Sequence, residues 1–337
     1  MLLRLLALVL MPTAALAMPP NRVEVARKPA EEWRWREVKL VADLPEAVRT
    51  AVPDARSRFG GDARSKVAAS GFFRVEREGD RWQLIDPDGH PFFNLAVVGV
   101  RSFNGKSRTT ARALAERFGG TDGWAPVARA QLLEHGFNGM GSWSETEAFQ
   151  ADDRRVPYTL IHNFMSRYGA KRGGTYQLPG HIGYPEGAMF VFDPDFEAFC
   201  ERAAAELAAT ADDPWLIGHF SDNELPLRRD VLDRFLRLPG SEPGRVAAES
   251  WLAGRRGATG MDAPLTDTER AAFLEWVAEH YYRIVSSAIR RHDPNHLYLG
   301  SRLHGQAVRS EAVWRAAGRY CDIVSVNVYY VWDPAPE

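Results

Sequence analysis

The chain has 337 residues, 45% of them hydrophobic and 26% charged, with a formal net charge of −2. That length fits one large domain or two ordinary ones, and the apolar fraction supports a sizeable core. A charge so near zero offers no basic footprint, so neither nucleic acid nor an anionic membrane is expected as a partner.

The opening residues read MLLRLLALVLMPTAALA. Arg4 gives a positive start, an apolar run follows, and Ala15-Leu16-Ala17 is a small-x-small cleavage pattern. Residues 1–17 are therefore read as a Sec-type signal peptide cut near Ala17, which makes the protein secreted or periplasmic. The run is too short for a comfortable membrane span, and no later stretch is apolar for long enough. Residues 18–70 are charged and punctuated by proline, and form a short N-terminal extension in which only EVKLVADL, residues 37–44, resembles a strand. Cys200 and Cys321 fall on separate predicted elements and read as two isolated buried thiols.

The main body, residues 71–337, begins with GFFRVEREGDRWQLIDPDGHPFFNLAVVGV. Phe73 and Val75 alternate with polar residues, Glu78-Gly79-Asp80 turns, Trp82, Leu84 and Ile85 follow, and Asp86 to Gly89 turns again. Two short antiparallel strands thus lead into the apolar run FFNLAVVGV, read as one strand. Asp122 to Gly136 is helical, FNGMGSWS and VPYTLIHNF are strands, and the segment from Asp193 is a helix with Asp193 at its cap and Pro194 in its first turn. WLIGHFSDNELPL is the next strand and its exit. A long helix follows, with Thr266 and Glu269 placed as a capping box, and then strand HLYLGSRLH, helix SEAVWRAAGRY and strand DIVSVNVYY. The short, unalternating apolar runs are those of parallel strands buried on both faces. This is an α/β chain, fitted by an open doubly wound sheet or a (β/α)8 TIM barrel. No glycine-rich phosphate loop follows the first strand, which removes the best signature of a dinucleotide fold, and no cofactor is expected.

Polar residues gather where these strands end: Arg101 and Asn104; Trp143, Ser144 and Glu145; His162 and Asn163; Asp222, Asn223 and Glu224; Arg302 and His304; Asn327, Tyr329 and Tyr330. Six such sets in succession fit one shared mouth, because parallel α/β folds put their chemistry at the carboxyl ends of their strands. For Glu224 taken alone, a loop carboxylate paired with Arg228 or Arg229 is the bland alternative. Metal readings are poorer still. His292 and His296 are four apart but interrupted by Pro294, and His162, His219 and His304 lie on different strands without an HExxH-type spacing.

FFNLAVVGV after DPDGHPF, GFNGMGSWS, IGHFSDNELPL, DPNHLYLGSR and DIVSVNVYY together resemble the family 50 glycoside hydrolases, the β-agarases, over roughly residues 71–330. That resemblance implies a retaining clan A (β/α)8 barrel acting on a polysaccharide or oligosaccharide. It implies Glu224 as general acid/base, Asn223 as the partner of the sugar 2-hydroxyl, and Trp143, His162, Asn163, Asp222, His304, Asn327 and Tyr329 as substrate-binding residues. The substrate class is a β-linked galactan such as agarose. Another clan A β-glycosidase (β-galactosidase, glucanase or mannanase) and a non-catalytic carbohydrate-binding remnant are the alternatives. Retaining chemistry also needs a nucleophilic carboxylate about 5–5.5 Å from the first, which the resemblance puts at the end of a seventh strand. The sequence ends seven residues after the sixth. A barrel truncated after strand six, without its nucleophile and inactive in this form, is therefore the expectation. Asp222 and Glu145 are weak substitutes.

Overall fold

The computed structural model describes residues 22–26, 32–38, 55–102, 108–151, 155–172, 183–257, 260 and 262–329. The signal-peptide reading, Asn104 and Tyr330 lie outside them. The chain divides into two units, residues 1–52 and 53–337.

In the first unit, β1 (Arg22–Val25) and β2 (Arg34–Glu37) form an antiparallel pair whose eight residues are all exposed. Of the strand expected over residues 37–44, Glu37 is the last residue of β2, and residues 39–44 lie outside the described residues. Arg22 and Glu37 face each other in register and carry an ion pair at 2.9 Å.

The second unit opens with residues 55–62, which are pinned by one buried carboxylate. Asp86, wholly inaccessible, accepts the Ser57 hydroxyl at 2.5 Å and the backbone N–H groups of Asp88 and His90 at 3.0 and 2.8 Å. Phe59 packs on Phe73 and Trp215. β3 (Arg74–Glu78), β4 (Arg81–Ile85) and β5 (Pro91–Phe92) form the antiparallel sheet read from the sequence, with both turns where they were expected. Gly79 takes φ 57° and Gly89 φ 98°, the left-handed region that a Cβ penalises.

The run FFNLAVVGV is not one strand. Phe92 belongs to β5, whereas β6 (Ala96–Val97) joins a different sheet. The Asn138 side chain explains the break: its Oδ1 accepts from Leu95 N at 2.9 Å and its Nδ2 donates to Phe93 O at 2.9 Å. One amide thereby satisfies the backbone where the chain leaves the first sheet.

β6, β7 (Gly139–Met140), β8 (Tyr158–Ile161), β9 (Leu216–Phe220) and β10 (Leu297–Tyr298) pair in parallel, each beside its predecessor in sequence. The final predicted strand extends this series through one parallel bridge, Leu303 to Val326. All five residues of β9 are buried, as its apolar run requires. A Cβ on Gly218 would stand 2.2 Å from Leu297 O, so glycine is what lets β9 and β10 approach.

Helices occupy the connections, except that between β7 and β8 the described residues hold only the 3-10 turn Thr146–Phe149. α1 (Arg108–Phe118) and α2 (Thr121–Glu134) precede β7, and α3 (Phe164–Arg172) and α4 (Phe196–Ala204) precede β9. α5 (Val231–Arg237), α6 (Pro243–Arg256) and α7 (Asp267–His292) precede β10, and α8 (Glu311–Tyr320) follows it. The capping box of α7 forms as read, with Glu269 N donating to Thr266 Oγ1 and Thr266 N to Glu269 Oε2. α7 buries Phe273, Leu274, Val277, Tyr281, Tyr282, Val285 and Ile289, and anchors the largest core cluster. The predicted cap of α4 is corrected: Asp195 holds that place, and Asp193 instead binds Arg172 at 2.5 Å. Among the described residues, both cysteines are free. No helix among them is long and apolar enough to cross a membrane.

Candidate active site

At the ends of four consecutive parallel strands the chain adopts left-handed backbone at residues other than glycine: Trp143 (φ 63°) after β7, Asn163 (φ 56°) after β8, Glu224 (φ 54°) after β9 and Arg302 (φ 51°) after β10. Each costs on the order of 1 kcal/mol or more. Strain of this kind persists where the surroundings over-determine it, and here it marks one end of the sheet. Nothing in these residue types announces it, save for Asn163.

Glu224 is the centre of a compact polar group. Its backbone N–H reaches the carbonyls of Ser301 and Arg302 at 3.1 and 3.2 Å, which ties the exit of β9 to that of β10. Its Oε1 accepts from Asn327 Nδ2 at 2.7 Å and from the Tyr329 hydroxyl at 2.5 Å. Asn327 Nδ2 also lies 3.1 Å from Asn223 Oδ1 and 3.2 Å from the Tyr329 oxygen. Asn327 Oδ1 in turn accepts from Arg302 Nε at 3.2 Å. The Arg302 guanidinium sits 5.1 Å from the ring centres of both Trp143 and Phe220. His304 meets the Tyr329 ring edge-on at 5.1 Å.

The electrostatics follow from these contacts. The hydrogen bond to Glu224, and then burial, pushes the Tyr329 phenol above its ordinary range, because a carboxylate favours the protonated donor. Burial pulls Arg302 downward, against the opposing pull of Tyr329 and Glu224. Of the two arginines in the alternative reading of Glu224, Arg228 pairs with Asp230.

Glu224, Asn223, Asn327, Tyr329, Trp143 and His304 are therefore brought together. Three sequence-predicted residues, Asp222, His162 and Asn163, have no contact with this group among the described residues. Asp222 is wholly buried, and its carboxylate accepts from Met165 N at 3.1 Å, Ser166 N at 3.4 Å and the Tyr281 hydroxyl at 2.6 Å. It caps α3 and leaves no face for a sugar, so its reading as a substrate contact is corrected to a bracing role. Burial pushes it up to about 7, against those hydrogen bonds. His162 turns to a different set of partners: its Nε2 lies 2.9 Å from His219 Nδ1 and its Nδ1 3.8 Å from Glu206. Asn163 opens α3, and its Oδ1 is buried without a hydrogen-bond partner among the described residues. Glu145, the other strand-end carboxylate, accepts from the Ser102 N–H and hydroxyl at 2.9 and 2.7 Å. Arg302, read from the sequence only as a strand-end residue, is the member that the expected binding set omitted; its place after HLYLGS was the available signal.

The histidines converge in an unforeseen combination. His219 Nε2 lies 2.7 Å from Asp293 Oδ2, His296 Nδ1 lies 2.8 and 2.9 Å from the two Asp293 oxygens, and His296 Nε2 reaches Asp213 O at 2.9 Å. His304 is not among them. Among the described residues, His219, Asp293 and His296 are the group close enough to share a cation. Their spacing is that of charge-assisted hydrogen bonds, whereas ligands about 2.0–2.1 Å from a tetrahedral zinc stand further from one another. Every ring nitrogen already has a partner, so the group is a hydrogen-bonded clamp. Burial lowers His219 to about 4, against the favourable contact with Asp293. Burial also opposes the charge on Asp293, but the hydrogen bonds from His219 and His296 prevail and hold that carboxyl well below its ordinary range.

No family model matches the chain. Two curated relatives from Vibrio sp. (strain JT0107) do: beta-agarase A, 24% identical over 92% of this chain, and beta-agarase B, 21% identical over 83%. The chain spans only 39% and 38% of their lengths. Among solved structures, that titled "Crystal structure of BpGH50" is 26% identical, with a TM-score of 0.70 over 93% of this chain and 71% of the other. An exo-beta-agarase structure, 20% identical, has a TM-score of 0.65 over 82% of this chain and 52% of its own, a likeness of fold. The chain is β-agarase-like: in sequence and in fold it resembles the family 50 glycoside hydrolases.

Proposed function

We propose that the protein is a retaining glycoside hydrolase acting on a β-linked galactan of the agarose type, with Glu224 as its general acid/base. The observation that carries this reading is the pair of donors, Asn327 and Tyr329, converging on Glu224 Oε1. With Oε1 accepting from both, the acid proton belongs on Oε2. From there it passes to the departing glycosidic oxygen, and the carboxylate left behind takes a proton from the incoming water. Asn223 Oδ1 faces Asn327, so the Asn223 amide nitrogen is the end left to address the sugar 2-hydroxyl, an interaction that strengthens as the oxocarbenium-like state forms. Trp143, His304, Tyr329 and Asn163 are the proposed lining of the sugar site.

The mechanism requires a second carboxylate about 5–5.5 Å from Glu224. The role is assigned neither to Asp222, which is buried, nor to Glu145, which is committed to Ser102. Five parallel strands in chain order and the Leu303–Val326 bridge support the first six strand positions of a (β/α)8 barrel. We take residues 71–337 as that barrel region, residues 18–70 as the extension before it, and residues 1–17 as an export signal that makes the protein secreted or periplasmic.

Release of reducing sugar from agarose is the test. Glu224→Gln is expected to lower it by about 100-fold or more, the range of general acid/base catalysis. Activity near the wild-type level in that variant would end the assignment. Release from a β-glucan or β-mannan but not from agarose would move the substrate while keeping the acid/base.

A further inference from the structure

We propose that Arg302 is a positioning residue that sets the direction of both active-site amides, turning Asn327 so that its NH2 group serves Glu224 and Asn223. This rests on the reading of Glu224 as the acid/base. A guanidinium has five donors and no acceptor, so the Asn327 atom facing Arg302 Nε at 3.2 Å has to be the oxygen. A flipped Asn327 would set its NH2 against Arg302 and its carbonyl against the Glu224 carboxylate, donor on donor and acceptor on acceptor. With the oxygen held by Arg302, the nitrogen stands 2.7 Å from Glu224 Oε1 and 3.1 Å from Asn223 Oδ1. That second contact fixes Asn223 in turn, because its oxygen now accepts and its nitrogen is the end turned away. One cation thus determines which end of two successive amides each neighbour meets.

Arg302 is itself held firmly enough to act as such a reference. Its backbone is left-handed at φ 51°, and its carbonyl accepts from Glu224 N at 3.2 Å. Its side chain lies against Trp143 and Phe220, each at 5.1 Å, where an uncharged chain of similar length also packs.

The experiment follows the Glu224 carboxyl by 13C NMR in the full chain, the resonance being assigned by its absence in Glu224→Gln. Arg302→Met keeps the packing and removes the donor. It is expected to raise the Glu224 midpoint by about one unit through loss of the Asn327 hydrogen bond and of the nearby positive charge. Arg302→Lys, which keeps the charge, is expected to restore no more than about half of that shift. In an Asn327→Ala background, Arg302→Met is expected to shift the midpoint by less than half as much as in the wild type, since its intermediary is gone. A midpoint unmoved by Arg302→Met, or moved equally in both backgrounds, would overturn the proposal. Hydrolysis surviving Glu224→Gln would sink the acid/base reading while leaving this titration result intact, so the two fail separately.

Discussion

Tyr329 donates a 2.5 Å hydrogen bond to Glu224 across a sequence separation of 105 residues. The bond joins the exit of β9 to the segment that continues the sheet beyond β10, and it leaves a signature on Tyr329. The Tyr329 phenol is held above its ordinary range because its loss of a proton would set two anions side by side.

Glu224→Gln is therefore expected to let Tyr329 titrate at lower pH than in the wild type. Absorbance at the phenolate band would show one tyrosine shifted downward between the two proteins, and Tyr329→Phe would remove that component from both. A titration curve identical in wild type and Glu224→Gln would mean that the hydrogen bond is absent in solution.

A second prediction concerns acid stability. His219 is fully buried and lowered to about 4, against an ordinary value of 6.5. The unfolded chain therefore takes up a proton that the folded chain refuses, and the contribution is present above pH 6.5 and lost as the pH falls toward 4. Its upper bound is roughly 3 kcal/mol, from about 1.4 kcal/mol per unit. His219→Gln is expected to unfold in urea with less acid sensitivity between pH 6.5 and 4 than the wild type, from a lower starting stability.

Asp222 acts in the opposite direction over nearly the same window. Its folded value is raised to about 7 from 3.8, so its contribution is complete below 3.8 and disappears as the pH rises through 7. The magnitude is again a few kcal/mol at most. In the wild type these two effects oppose each other between pH 4 and 6.5. Asp222→Asn is expected to expose the acid loss due to His219, and His219→Gln the alkaline loss due to Asp222. Asp222→Ala is expected to cost about 2–4 kcal/mol below pH 4 and less as the pH rises through 7, because it strands the Met165 and Ser166 N–H groups and the Tyr281 hydroxyl but also removes a carboxyl that is costly to ionise in the core. Parallel pH profiles for wild type and Asp222→Asn would refute this account.

Much of the main unit was legible because its signals are local. The turns at Gly79 and Gly89, the capping box of Thr266 and Glu269, and the uniformly buried run of β9 each depend on a few adjacent residues. The same logic singled out the strand exit that carries Glu224, because a strand that turns abruptly polar announces its end. Where the reading went astray, a distant side chain had intervened. Asn138 divides FFNLAVVGV between two sheets although it lies more than forty residues further on. His162 and Asp222 look like good ligands beside their strand-end neighbours, yet His219 claims one and the start of α3 the other.

By itself, the amino-acid sequence determined the order of elements, the parallel α/β class and the carboxylate on which the chemistry is proposed to turn, since hydrophobic periodicity, caps and strand exits are written within a few residues of one another. Only the tertiary structure decided which polar groups meet. Asn327 and Arg302 reach Glu224 because three strand exits lie side by side, while Asp222, adjacent to Asn223 in the chain, is carried into the core. The physical reason is that successive residues leaving a strand point in different directions, so adjacency in sequence fixes neither a side chain's burial nor its partner.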